Sequence, residues 1–165
     1  MRFSYLLVAG AVLAAITAAL PTVNRSDRLT SVPPTVRPSA PLTTSLAITV
    51  YHSPTCGCCK KWVEYLKADG FTVKSIEQED LTDIKAELGV VSKVRSCHTA
   101  VIAGYVIEGH VPTADIRRLL SEKPKVTGLA APGMPPSSPG MDGAKQPYDV
   151  VTFDGKGATT VWARH

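Results

Sequence analysis

The residues with the most chemistry to offer are three cysteines within four positions, Cys56-Gly57-Cys58-Cys59, and a fourth in Ser96-Cys97-His98-Thr99. A thiolate attacks disulfides and binds soft metals, and both reactions need the thiol deprotonated. Cys56 and Cys59 form a C-x-x-C pair at the start of an expected helix. There the unpaired N–H groups and the helix dipole favour an anion, pulling a thiol with a free pKa of about 8.5 down toward roughly 3.5 to 7.5. Soft thiolate ligands select Cu(I), Zn(II) or iron–sulfur clusters over hard ions. Adjacent Cys58 and Cys59 do not easily aim at one tetrahedral ion, unlike the C-x-x-C pairs of structural zinc sites. Sulfurs bridging several Cu(I) ions would use all four cysteines, so copper in a polynuclear site is favoured and zinc comes second. Met134 and Met141, each preceded by Pro-Gly, add thioethers, which bind soft ions and are not consumed by disulfide formation. His98 beside Cys97, His110 at the start of a later helix and His52 just ahead of the motif complete the candidate donors.

Two other uses of the cysteines stand beside metal binding. Two structural disulfides would suit an exported chain, although a vicinal Cys58–Cys59 bridge is strained. A thiol–disulfide oxidoreductase would use Cys56 and Cys59 and leave Cys58 and Cys97 as spare thiols that trap mixed disulfides. For the remaining residues the plain expectations are that Trp62 and Trp162 are core, that Lys60 and Lys61 form the solvated face of a helix, and that His165 is solvated.

The elements that must position these groups alternate between strand and helix. Leu46 to Tyr51 is a short β-rich run leading into the first three cysteines, and Trp62, Val63 and Leu66 then recur at helical spacing up to a stop at Gly70. Phe71 to Ile76 reads as a second strand, which makes a βαβ unit with parallel strands. A short helix is expected over Asp83 to Leu88. Thr99 to Ile102 and Tyr105 to Ile107 form a hairpin around Ala103-Gly104, and a helix runs from about Pro112 to Lys123. Gly128 to Pro147 reads as a Pro/Gly/Ser-rich loop before a last hairpin, Asp149 to Phe153 with Ala158 to Ala163. The fold class is therefore α/β, a thioredoxin-like βαβ-ββα core with an added C-terminal β-hairpin. In such a fold the loop before the central hairpin faces the C-x-x-C, which would bring Cys97 up to the other three cysteines.

With 165 residues, 44% apolar and 19% charged, the chain holds one domain of ordinary size and is neither fibrous nor wholly disordered. Its formal charge is +4, and the basic residues are scattered, so nothing calls for nucleic acid. Arg2 precedes an apolar run from Phe3 to Leu20 and then Pro21, the layout of a secretory signal or, if uncleaved, of an N-terminal membrane anchor (residues 1–20). Residues 21–45 are Pro, Ser and Thr with few large side chains and read as an extended tether. Residues 46–165 are the folded metal-binding domain, exported, which in a bacterium means the periplasm or its membrane face.

The segments YHSPTCGCCKKWVEYLKADGF, SCHTAVIAGYVIEGHVP and PGMPPSSPGM resemble the CopG-type family of exported, thioredoxin-like copper-resistance proteins. The resemblance spans nearly all of Ile48 to His165 and leaves out the signal and tether. It implies a periplasmic copper-binding role in metal tolerance, with copper cycled between oxidation states, and a ligand set on Cys56, Cys58, Cys59, Cys97 and His98. A binding module that hands copper to an efflux or carrier protein is a further option. Enzyme, carrier and reservoir all stay open, and no catalytic residue is singled out.

Overall fold

A computed structural model describes residues 46–165. The expected signal or anchor and the tether lie outside the described residues. In strand β1 (Ala47–His52) the buried residues are Ile48, Val50 and His52, every second position, as a strand with one face in the core requires. Helix α1 (Gly57–Ala68) buries Cys59, Trp62, Val63 and Leu66, a stripe at spacings of three and four. It ends in a Schellman motif: Gly70 takes a left-handed φ of +84°, and its N–H and that of Phe71 bond back to the carbonyls of Lys67 and Leu66. Strand β2 (Thr72–Glu77) then returns parallel to β1.

Helix α2 (Thr82–Glu87) and a 3₁₀ turn (Ser92–Val94) lead into strands β3 (His98–Ile102) and β4 (Tyr105–Glu108), an antiparallel hairpin. Ala103 and Gly104 both have positive φ, as a two-residue hairpin turn demands. Helix α3 (Thr113–Glu122) stops at Lys123 in the left-handed region, with Pro124 next. Strands β6 (Asp149–Phe153) and β7 (Thr159–Arg164) make the final hairpin around residues 154–157. The expected elements are therefore present, with ends displaced by a residue or so.

One expectation is corrected. Within the span read as a loop, Gly128–Ala130 forms strand β5, parallel to β4 and antiparallel to β6, so the last hairpin joins the same sheet. The order is β2-β1-β3-β4-β5-β6-β7. Three residues are too few to display an alternating pattern, and Gly128 reads as a breaker in sequence. Its lack of a side chain is what permits the pairing, because a Cβ there would lie 1.7 Å from the Val106 carbonyl oxygen. Trp162 is also less buried than expected: it packs against the main core with the Arg118 guanidinium 3.8 Å above its ring.

The two faces of the sheet carry separate apolar clusters. Ile48, Val50, Ala100, Ile102, Ile107 and Leu129 pack with Trp62 and Leu66 of α1 and Ile116 and Leu119 of α3. Val106 and Ala130, the alternate residues, join Val90, Val94 and Phe153 in a smaller cluster. Among the described residues, no helix is long and apolar enough to cross a membrane.

Strand directions determine what meets at the sheet end. Antiparallel β1, β3 and β4, with β5 parallel to β4, put the exit of β1, the entrance of β3, the exit of β4 and the exit of β5 at one end. The connections leaving there contain Cys56, Cys97, His110 and the Met134–Met141 segment respectively. Gly128→Ala is expected to break the β4–β5 pairing and destabilise the domain by about 3 kcal/mol or more, the upper range for forced overpacking. Chemical denaturation would read this, and an unchanged midpoint would contradict the role given to β5.

Candidate metal centre

Cys56 is the N-cap residue of α1, with extended backbone, and makes no side-chain capping bond, so its sulfur is free to face the neighbouring thiols. Cys56 and Cys59 are joined in a disulfide, with Cα atoms 5.3 Å apart, while Cys58 and Cys97 are free. In this state the C-x-x-C pair is therefore oxidised and is not the activated dithiolate expected at a helix start. The Cys58 sulfur lies 3.5 Å from that of Cys56. The sulfurs of Cys56, Cys58, Cys59 and Cys97 all lie within 4.8 Å of one another. A residue far along the chain has thus been delivered to the helix entrance by the loop before β3.

Cys97 also belongs to a second donor set. Its sulfur is 3.4 Å from Nδ1 of His98 and 3.2 Å from Nε2 of His110, and the three donor atoms again fit within 4.8 Å. The state of His110 follows from its other nitrogen. Nδ1 lies 2.7 Å from the Pro139 carbonyl oxygen, which can only accept, so Nδ1 carries the proton and a neutral ring turns the Nε2 lone pair toward Cys97. An imidazole held in one tautomer through its far nitrogen is the usual arrangement of a metal-binding histidine. His98 is fully buried, stacks on Trp62 with ring centroids 4.4 Å apart, and meets His110 edge-on at 4.8 Å. Its Nε2 has no hydrogen-bond partner.

Burial sets the charge state. It pushes the Cys97 thiol up to about 12, with the nearby Cys58 adding to the effect, and it holds His98 well below the usual imidazole range and His110 below it too. A cation reverses this for the thiol, since coordination deprotonates it outright. The Cys97 thiol and the two imidazoles are therefore held neutral, and an ion bound at Cys97 would displace its proton.

The segment carrying the methionines lies directly over the helix entrance. A Cβ on Gly140, whose φ is +82°, would sit 2.9 Å from the Trp62 nitrogen and 3.2 Å from the Cys58 carbonyl oxygen. Met141 follows, and Asp142 makes a 2.5 Å ion pair with Lys61, which lies on the solvated helix face as expected. Met134 is 39% exposed. Two other histidines are engaged elsewhere. His52 donates from Nδ1 to the Ser53 carbonyl and accepts at Nε2 from the Ser75 hydroxyl, 2.6 Å away, which leaves no lone pair for a metal. His165, expected to be solvated, donates to Asp115 at 2.7 Å and stacks on Tyr148.

One feature had no signal in the sequence. Lys85 of α2 and Glu108 of β4 form a buried ion pair at 2.6 Å, and Glu108 is fully buried. Its carboxylate also accepts from the backbone N–H of Ser96 and the hydroxyl of Thr99, each at 2.6 Å. Only pairing and hydrogen bonding make such burial tolerable.

Fold and site together define a mixed α/β protein, built on one sheet, whose thiols and imidazoles cluster as a metal-binding centre would. A family model described as "Protein of unknown function, DUF411" matches residues 94–141, the stretch that holds Cys97, His98, His110 and both methionines. No curated protein matches the chain. A solved structure titled "Copper resistance protein copG, Form 1" is 43% identical, with a TM-score of 0.68, over 73% of this chain and 98% of its own. A second, "Form 2", is also 43% identical with a TM-score of 0.68, over 72% of this chain and 97% of its own. The chain belongs to this CopG-type copper-resistance family.

The depressed His98 gives the metal-free protein a defined pH response. An unfolded histidine takes up its proton near 6.5, whereas the folded one does so only well below that. The contribution of His98 is thus complete above about pH 6.5. It drains away as pH falls, approaching about 1.4 kcal/mol per pH unit until the folded pKa is reached. Denaturant unfolding between about pH 7.5 and 5 should show this slope, reduced by one proton in His98→Asn. Equal slopes in both proteins would refute the assignment.

Proposed function

We propose that this chain is an exported copper-binding protein of metal tolerance, which takes copper as Cu(I) on Cys56, Cys58, Cys59 and Cys97. The observation that carries this is the gathering of four sulfurs, three from the start of α1 and one from the loop before β3, within 4.8 Å of one another. That density of soft donors suits Cu(I), and sulfurs bridging several ions accommodate the adjacent Cys58 and Cys59. Relatives titled as copper-resistance proteins support copper over zinc. His98 and His110 add imidazole nitrogens beside Cys97, which suit Cu(II) as well as Cu(I). Met134 and Met141 are the thioether candidates on the segment above the helix entrance. The β1-α1-β2 and β3-β4-α3 arrangement is read as thioredoxin-like, and the place of work as the periplasm, with a copper efflux or carrier protein as the receiving partner.

The pairing of Cys56 with Cys59 suggests how oxidation state could change. Closing that disulfide from two thiols releases two electrons and two protons, enough to convert two Cu(II) to two Cu(I). Opening it consumes the same number. With the disulfide closed, Cys58 and Cys97 would be the thiols left to hold copper, and binding on all four cysteines requires it open.

The same disulfide favours a second reading, a thiol–disulfide oxidoreductase working through Cys56 and Cys59. Titration of the reduced domain with Cu(I) and, separately, Zn(II), anaerobically and against a moderate competing chelator, separates the two. The copper reading expects retained copper that falls on loss of any one cysteine, and a loss of affinity in Cys97→Ser beyond the roughly 10- to 100-fold typical of outer-shell changes. No retained copper would end it, and a single tight zinc in place of copper would promote zinc. Disulfide reductase activity that survives Cys58→Ser and Cys97→Ser but disappears in Cys56→Ser would establish the oxidoreductase.

A further inference from the structure

We propose that Glu108, charge-balanced by Lys85, is a positioning residue that sets the Cys97 and His98 donors in place for metal capture; this rests on the copper reading above. One oxygen of the carboxylate accepts the N–H of Ser96, the residue before Cys97, and the ammonium of Lys85, both at 2.6 Å. The other accepts the hydroxyl of Thr99, the residue after His98, also at 2.6 Å. Lys85 closes the ring with a 2.8 Å bond to the same Thr99 oxygen. A single carboxylate thus grips both flanks of the Cys97-His98 dipeptide.

Side-chain hydrogen bonds do little to fix these donors. The His98 ring packs on Trp62 and His110 but has an unpartnered Nε2, and the Cys97 sulfur's contacts to Ser96, His98 and His110 are long. The backbone that carries them is therefore a main restraint on their direction, and Glu108 anchors that backbone from the rear. Thr99 alternates with His98 along β3, and Glu108 with Ile107 along β4, so the ion pair lies on the sheet face opposite Trp62 and the metal-binding side. The next residue adds a second restraint: the Gly109 N–H donates to the His98 carbonyl, and a Cβ on Gly109 would come within 2.6 Å of the Ser96 hydroxyl.

Stability alone does not call for this arrangement, because buried ion pairs can commonly be replaced by apolar residues at no loss. The Ser96 N–H and the Lys85 ammonium can only donate, which suits an ionised carboxylate at Glu108. Partners that orient metal ligands from outside the coordination shell typically contribute about 10- to 100-fold in affinity.

The test uses the parent domain and Glu108→Gln, Thr99→Val and the double variant Lys85→Met/Glu108→Gln. Three quantities are read: Cu(I) affinity against a chromogenic chelator, the iodoacetamide alkylation rate of Cys97 in reduced metal-free protein with Cys58 as internal reference, and the urea midpoint. Glu108→Gln should lose about 10- to 100-fold in Cu(I) affinity and alkylate faster at Cys97. Thr99→Val, which cuts one arm and keeps the ion pair, should show a smaller change of the same sign and carries the test if Glu108→Gln does not fold. The double variant should recover its urea midpoint while its Cu(I) affinity stays low. Unchanged affinity in the folded single variants, or parental affinity in the double variant, would overturn the proposal. If the parent itself holds no Cu(I), the copper reading fails, and the alkylation rates alone decide whether the carboxylate orders Cys97: faster in Glu108→Gln supports it, equal rates refute it.

Discussion

Strands β1 and β3 run antiparallel with His52 opposite His98, and this pairing is the constraint on which the metal centre depends. Neither segment alone brings together all four sulfurs or the imidazoles. The register brings the end of one strand level with the beginning of the other, so the loop into α1 and the loop before β3 are forced together. β4 and β5, aligned in turn on β3, bring up the segments with His110 and the methionines. A slip of one residue along β3 would exchange its faces. It would move His98 from beneath Trp62 to the side where Lys85 sits, and no local rearrangement of the cysteines could compensate.

Much of this was legible in the sequence because the signals were local. The βαβ start, the hairpin at Ala103-Gly104, the α3 stripe and the four cysteines all announce themselves within a few residues. β5 was not legible, since three residues cannot display a period and Gly128 looks like a break. The Lys85–Glu108 pair was not legible either, because its partners lie on different elements and each charge alone looks like an ordinary solvated one. The uses of His52 and His165 depend on Ser75 and Asp115, distant residues that only the folded chain brings near. The protonation of His110 depends on a carbonyl in the segment after β5, so it could not be inferred before that segment's path was known.

Charge is managed by keeping the pocket neutral. Two buried neutral imidazoles and a thiol with its proton in place cost far less to enclose than ions would. The charged pair close behind, Lys85 with Glu108, is balanced internally and hydrogen-bonded to Thr99 and Ser96. Metal-free, the centre can be assembled by folding alone. An ion would bring the charge with it, at the moment when there is something for the sulfur to pair with.

Because the Cys97 sulfur belongs both to the thiol set and to the imidazole set, ions held by the two sets would share a ligand. An ion in one set would draw electron density from that sulfur and fix its direction, changing the energy of an ion entering the other. Thermodynamic reciprocity would make the effect equal in both directions. Loading of both sets would then be cooperative or anticooperative as a property of the whole centre, and a single-site isotherm would not describe it.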